Sequence, residues 1–229
     1  MELVVKIGSE DMKKIMVVSH ERSGTHFLMN TLAQNFGYDA VDWIDLDMNL
    51  PLNYWNAENI VLTLEATFGK PVLNIFKSHH QVDFFLPVFG DLVKEFLFFY
   101  IHRNWHDVFD SFSKHLNEMN QNWFAGPASR GGAELAKLEP CGGLLRYQYY
   151  QHRTCLERWK YHVTGWFHGI PEEYRNHVHY IEYEKLDSDF KKEVKRMANF
   201  LGRTPPKIVR RPSRFENVIT PEFTKETGS

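Results

Sequence analysis

Cysteine is nearly absent from this chain of 229 residues: only Cys141 and Cys155 occur, and they form no Cys-x-x-Cys pair. This excludes a disulfide scaffold and a structural zinc site, and it fits a reducing compartment. An excess of basic charge is also missing. With 27 basic against 29 acidic side chains the net charge is −2, whereas proteins that coat nucleic acid are strongly basic. No apolar run approaches the ~18 residues of a membrane span. The opening MELVVKIGSEDMKK is too charged for a signal peptide. A soluble, cytoplasmic protein without nucleic-acid or membrane partners is therefore expected. One further absence matters more: the chain has no Gly-x-x-x-x-Gly-Lys-Ser/Thr loop of the kind that holds nucleotide phosphates with magnesium.

Four short apolar runs are present, at Ile15–Ser19, Val72–Lys77, Phe96–His102 and Val178–Glu182. Their continuous hydrophobicity predicts parallel strands covered on both faces. Helical patterns follow three of them, at Gly24–Asn35, at Asn104–Leu116 with Asn104 as N-cap, and at Asp187–Leu201. Leu145, Tyr149, His152, Leu156, Trp159, Val163 and Trp166 recur at spacings of three and four, which predicts one long amphipathic helix over 145–167. The alternation points to a doubly wound α/β fold with a mainly parallel central sheet flanked by helices. No internal repeat or linker divides residues 1–229, so a single domain is expected. Tyr38–Thr67 carries no clear pattern. The glycine-rich stretch 119–143 is long for a structureless connection, and either a lid or a plain surface excursion fits it. Residues 203–229 read as an irregular C-terminal segment.

The stretch Val17–Leu32 reads VVSHERSGTHFLMNTL: a strand ends, the chain turns at Ser23-Gly24, and a helix begins. The first turn of such a helix offers unpaired N–H groups and the positive end of the dipole, which together bind anions. Gly24 lets the backbone approach an anion, Ser23 and Thr25 add hydroxyls, and Arg22 adds a permanent forked charge. Without the Lys-Ser/Thr pair that ligates magnesium, the loop suits a phosphate handled without metal. Two other strand ends add basic groups. Asn74–His79 delivers Lys77 and His79 to the same face while Ser78 points the other way. Phe98–Phe112 delivers Arg103 to a strand–helix junction, with Ser111 eight residues on. Ligands in open α/β sheets bind beyond the carboxyl ends of strands, so these groups share one crevice.

With these segments in view, the sequence resembles the sulfotransferases that use 3′-phosphoadenosine 5′-phosphosulfate (PAPS). Glu21-Arg22-Ser23-Gly24-Thr25-His26-Phe27 is similar to the family's Pro-Lys-Ser-Gly-Thr-Thr-Trp loop. Arg103-Asn104-Trp105-His106-Asp107-Val108-Phe109-Asp110-Ser111 fits its Arg-Asn-x-x-Asp-x-x-x-Ser motif fully. Lys77-Ser78-His79 resembles its Lys-Thr-His, and Tyr183-Glu184-Lys185 its Tyr-Glu-Asp. The resemblance implies sulfuryl transfer from PAPS, leaving PAP, to a small-molecule hydroxyl or amine, with no metal. His79 is implied as general base, and Lys77 and Arg22 as the charges that neutralise the transferring group. Ser23, Gly24, Thr25 and His26 are implied around the 5′-phosphate, Phe27 and Tyr183 at adenine, and Arg103 and Ser111 at the 3′-phosphate. The family's glycine-containing C-terminal motif is poorly matched. Arg210, Arg211 and Arg214 have its charge without its glycines.

Two rival readings keep their place. One is a metal-dependent small-molecule kinase, which the missing Gly-Lys-Ser/Thr and the Arg103–Ser111 element argue against. The other is a nucleotide-binding module without catalysis, which Lys77 and His79 argue against. Among the twelve histidines, His80 should face away from His79 by alternation, His152 reads as a core or boundary residue of the long helix, and His177 and His179 read as structural. The acceptor's identity and the oligomeric state are not written in the sequence.

Overall fold

The β-branched run after Lys14 becomes the central strand of a five-stranded sheet. The computed structural model describes residues 13–49, 74–119, 131–138 and 152–213. Its strands are β1 (Lys14–Ser19), β2 (Asp39–Asp45), β3 (Asn74–Ser78), β4 (Phe96–His102) and β5 (Val178–Glu182), in the spatial order β2-β3-β1-β4-β5. All neighbouring pairs are parallel. The helices are α1 (Thr25–Phe36), α2 (Leu46–Asn49), α3 (Val82–Phe85), α4 (Phe89–Glu95), α5 (Trp105–Met119), α6 (Gly132–Leu135), α7 (Cys155–His168), α8 (Tyr183–Ser188) and α9 (Phe190–Phe200).

Alternation in β1 divides the core into two layers. Ile15 and Val17 pack with Phe27, Leu28 and Leu32 of α1 and with Phe190, Val194 and Met197 of α9. Met16 and Val18 face the opposite layer, with Phe85, Phe89, Phe98 and Trp166. Burying each such side chain contributes about 1.5–3 kcal/mol, so the β1 register is fixed by both faces at once. Because β1 has β3 on one side and β4 on the other, the connections diverge at its carboxyl end and open a crevice there. The register keeps the strand ends level: Val18 lies beside Ser78 and Tyr100, and Ser19 beside Ile101.

Two expectations are corrected, and one unassigned stretch gains a strand. β2 lies in the stretch that showed no pattern; its DAVDWID sequence is interrupted by aspartates and pairs with β3 through a register shift. The helix predicted over 145–167 begins at Cys155, with 145–151 outside the described residues. Its start has a physical cause. The Cys155 and Leu156 N–H groups donate to the Leu138 and Ala136 carbonyls, and Thr154 Oγ1 accepts from the Glu157 N–H at 3.0 Å. These bonds satisfy the donors that a first turn leaves without helical partners. His152 therefore precedes the helix and lies 2.9 Å from the Gln81 amide through its Nε2. The helix predicted over Asp187–Leu201 is two helices, α8 and α9, broken at Asp189 with ψ 41.

Within 119–143 the described residues 131–138 contain α6, which docks on α5. Gly132 is required there, since a Cβ would come within 2.7 Å of the Phe109 main chain. The remainder of the lid candidate lies outside the described residues. Residues 203–213 form neither helix nor strand. No helix among the described residues is long and apolar enough to cross a membrane.

Candidate functional site

The loop between β1 and α1 is shaped by two left-handed residues. Gly24 has φ 97, and Arg22 has φ 62, the one positive-φ residue other than glycine among those described. For a side-chain-bearing residue this conformation costs about 1–2 kcal/mol, so its neighbours must enforce it. The Ser23 N–H turns back to the His20 carbonyl at 3.3 Å. No side chain caps α1 and no acidic residue occupies its first turn, which leaves the helix's positive end facing the crevice. Ser23 Oγ is buried and has no hydrogen-bond partner among the described residues. Thr25, in contrast, turns inward: its hydroxyl meets Ser19 Oγ at 2.6 Å. Gly24 proves necessary for a second reason besides its φ, because the Tyr183 ring lies directly against its Cα, where any Cβ would collide.

His79 meets the loop from β3. Its Nδ1 lies 2.8 Å from the Ser19 carbonyl and 3.2 Å from Ser19 Oγ. A carbonyl only accepts, so Nδ1 carries the proton and the lone pair of the neutral ring is at Nε2. Burial, with the Lys77 charge, pushes His79 down to about 3 against the opposing pull of Asp47 and Glu21. His80 follows His79, beyond the end of β3 at Ser78. It stacks on Phe84 at 3.9 Å, and Ser78 Oγ lies 2.8 Å from its Nδ1.

Lys77 is held by two carboxylates that the sequence reading missed. Its Nζ lies 3.3 Å from Asp45 and 3.2 Å from Asp47. Asp47 also accepts from the His79 main-chain N–H at 2.8 Å and lies 3.2 Å from His80 Nδ1. Burial works to raise Asp47, but the charge of His79, the His80 hydrogen bond and Lys77 outweigh it and hold the carboxyl below the usual carboxylate range. Burial pushes Asp45 up against the pull of Lys77, and the Asp47 charge adds to the rise. The two aspartates come from β2 and α2, inside the segment that carried no readable pattern.

From β4 and α5 come Arg103 and Ser111. The Arg103 guanidinium lies 4.4 Å from the centre of the Tyr183 ring, so one tyrosine touches both the loop and this arginine. Arg103 Nε is buried without a hydrogen-bond partner among the described residues. Arg22 Nε donates to Ser111 Oγ at 3.1 Å, joining the two motifs directly. Asn104 is the N-cap expected of it, its Oδ1 accepting from the His106 N–H at 3.0 Å. The Asn104 N–H in turn donates to Glu184 at 3.3 Å, which fastens the strand–helix junction to α8.

Phe27 meets Tyr183 edge-on at 6.0 Å, and Arg211 lies over both Phe27 and Phe190 at 5.7 and 5.4 Å while pairing with Asp187. His26 follows Thr25 in the first turn of α1. Arg210 is placed differently. Its main chain exchanges hydrogen bonds with Asn35 in the last turn of α1, about 15 Å along the helix from the loop. Arg214 lies outside the described residues.

A buried ion pair beneath the loop also escaped the sequence reading. Arg158 of α7 forks onto Glu21, Nη1 to Oε2 and Nη2 to Oε1, both at 2.7 Å, and Nη1 lies 2.8 Å from His20 Nε2. Burial opposes the Glu21 charge, yet the Arg158 guanidinium outweighs it and holds the carboxyl below its usual range. The apolar spacing of α7 pointed to Leu156, Trp159, Val163 and Trp166 as the inward stripe. Trp166 is buried as that spacing implies, but the rest of the buried face is Cys155, Arg158 and His162, each one residue before Leu156, Trp159 and Val163. No local signal marks Arg158, because its partner lies 137 residues away.

A family model described as sulfotransferase domain matches residues 12–227. Among solved structures, the chain is similar to mouse sulfotransferase SULT7A1 complexed with PAP: 21% identity, 84% of this chain and 59% of that one covered, TM-score 0.50. It is also similar to retinol dehydratase in complex with androsterone and inactive cofactor PAP, at 17% identity, 89% and 62% covered and TM-score 0.46. A third similar structure is the sulfotransferase from Alicyclobacillus acidocaldarius, at 14% identity, 89% and 85% covered and TM-score 0.48. No curated relative matches the chain. The chain spans 59% of the mouse protein's length and 62% of retinol dehydratase's. The likeness to the mouse structure is one of fold, a parallel sheet flanked by helices.

Proposed function

The chain belongs to the sulfotransferase domain family, and on that premise we propose that it transfers the sulfuryl group of PAPS to a hydroxyl or amine of a small-molecule acceptor. One observation carries this reading. Seven buried side-chain polar atoms lack partners among the described residues, and two of them, Ser23 Oγ and Arg103 Nε, belong to the two motifs whose counterparts hold phosphates in the resembling family. A buried polar group without a partner is expensive, and anionic oxygens are the partners that both donors suit. The residues present therefore fit a donor with a phosphate at each end.

When bound, the donor supplies a sulfuryl group with a phosphate as its leaving group. The 5′ side falls to Arg22 and Ser23 and to the main-chain N–H groups of Gly24, Thr25 and His26 at the positive end of α1. The 3′-phosphate falls to Arg103 and Ser111, a pair that distinguishes PAPS from nucleotides without that group. Phe27 and Tyr183 present ring faces and edges suited to adenine, with Arg211 above Phe27. Arg210 and Arg214 remain candidates for outer contacts.

His79 takes the acceptor proton at Nε2, the nitrogen left with its lone pair once Nδ1–H is committed to Ser19. A pKa near 3 keeps the ring neutral and able to accept. Negative charge brought beside it raises its basicity, by the same Coulomb effect that Asp47 and Glu21 exert already. Lys77 supplies positive charge on the same face, and Asp47 orients both groups through Lys77 Nζ and the His79 N–H. The test is a panel of phenols, alcohols, sugars and amines incubated with PAPS and chelator, read by mass. Gain of one sulfuryl group by a panel member is the expected result. Magnesium-dependent phosphorylation from ATP in its place would overturn the reading.

A further inference from the structure

Arg158 is 1% exposed and lies on α7, an element outside all the motifs assigned to donor or acceptor. Among the described residues its side-chain hydrogen bonds go to the two residues immediately before Arg22. Its fork closes on both oxygens of Glu21, and Nη1 also reaches His20 Nε2. A guanidinium can only donate, so Nε2 accepts and the His20 proton is on Nδ1. That proton is donated to the Glu21 carbonyl at 3.0 Å. Side chain and main chain at positions 20 and 21 are thus fixed from one guanidinium. The next residue, Arg22, is the one in the left-handed region, and its Nε reaches Ser111.

We propose that Arg158 is a positioning residue for the donor loop, acting through Glu21 and His20 to hold Arg22 in its left-handed turn and direct it at Ser111. This rests on the reading of the loop as the PAPS site. The fork does from the side what a ring-constrained residue does within the chain: it removes the loop's freedom before the ligand arrives, so less ordering is needed on binding. A purely structural role makes a different forecast. Buried ion pairs replaced together by neutral side chains of similar size often leave stability unchanged, and such a replacement would then leave donor affinity unchanged too.

The experiment measures PAP binding by calorimetry and thermal unfolding, in chelator, for the wild type, Arg158→Lys and the double variant Glu21→Gln/Arg158→Met. Arg153→Gln, which removes an exposed pair with Glu157 near the start of the same helix, is the control. The double variant is expected to melt within a few degrees of wild type yet bind PAP about tenfold or more weakly, the scale of one lost charged hydrogen bond. Arg158→Lys, which cannot fork, should fall between, with the donor KM rising and the acceptor KM unmoved. Wild-type PAP affinity in Arg158→Lys, or in a folded double variant, overturns the proposal; if the double variant does not fold, Arg158→Lys decides alone. A wild-type protein that binds no PAP overturns the donor-site reading itself, and this inference with it.

Discussion

In the proposed reaction His79 concentrates the chemistry of the site into one ring. Its Nδ1 proton is committed to the Ser19 carbonyl, its main-chain N–H to Asp47, and its charge state to neutrality by burial. Replacing it with alanine should therefore remove proton acceptance while sparing the groups assigned to the phosphates. His79→Ala is expected to lower kcat by about 10²–10⁴, the usual worth of a general base, with PAP affinity nearly unchanged. Stopped-assay kinetics beside calorimetry check both halves, and full activity would remove His79 from the role. At this scale the motifs marked His79, Lys77, Arg103 and Ser111, whose roles are those of the proposal. The sequence was silent for Asp45, Asp47 and Arg158, whose roles depend on partners distant in the chain and carry no local signal. Thr25 shows the limit differently: the motif marks the residue, but only the packing reveals that its hydroxyl is tied to Ser19.

Elements set where those residues stand, and their ends were harder to read than their cores. The strands with continuous apolar runs, β1 and β4, were legible because burial on both faces keeps their centres apolar, and β5 was legible at the sheet edge despite its half-buried His179 and Tyr180. β2 was not, since aspartates break its pattern at the position that later pairs with Lys77. The start of α7 was misplaced because hydrophobic spacing continues through Tyr149 and His152, whereas the helix begins where Leu138, Ala136 and Thr154 satisfy its first N–H groups. That account predicts that Thr154→Ala destabilises the fold by about 1 kcal/mol, as loss of an N-cap does. Denaturant unfolding measures it; an unchanged midpoint would show that the Leu138 and Ala136 carbonyls alone fix the helix start. Gly24 offers a second check on the loop–helix junction. Gly24→Ala meets both a positive φ and the Tyr183 ring, so trimming Tyr183 as well should restore only part of the lost stability.

The molecule as a whole is built around buried histidines and carboxylates whose charges are coupled through the site. Burial lowers His20 to about 4 and His79 to about 3, and holds His162 well below its ordinary value. The unfolded chain protonates such residues near 6.5, so below that pH the unfolded state binds more protons and stability falls with falling pH. The loss should begin near pH 6.5 and continue toward pH 4. Below the ordinary carboxylate range Glu21 and Asp47 add to it, since their depressed values make their stabilisation present above the unfolded pKa and lost beneath it. Melting temperatures recorded between pH 7.5 and pH 4.5 test this; a flat profile across pH 6.5 to 5 contradicts neutral, buried histidines.

The account's central claim is that one crevice at the strand ends holds an adenosine bearing two separate phosphates, without metal. Calorimetric titration with PAP and with adenosine 5′-monophosphate, in chelator, for the wild type and Arg103→Ala, tests it most directly. Tight wild-type binding of PAP, weak binding of the monophosphate, and loss of that preference in Arg103→Ala are the predicted results. Equal affinity for the two nucleotides, or binding that appears only when magnesium is restored, would contradict it.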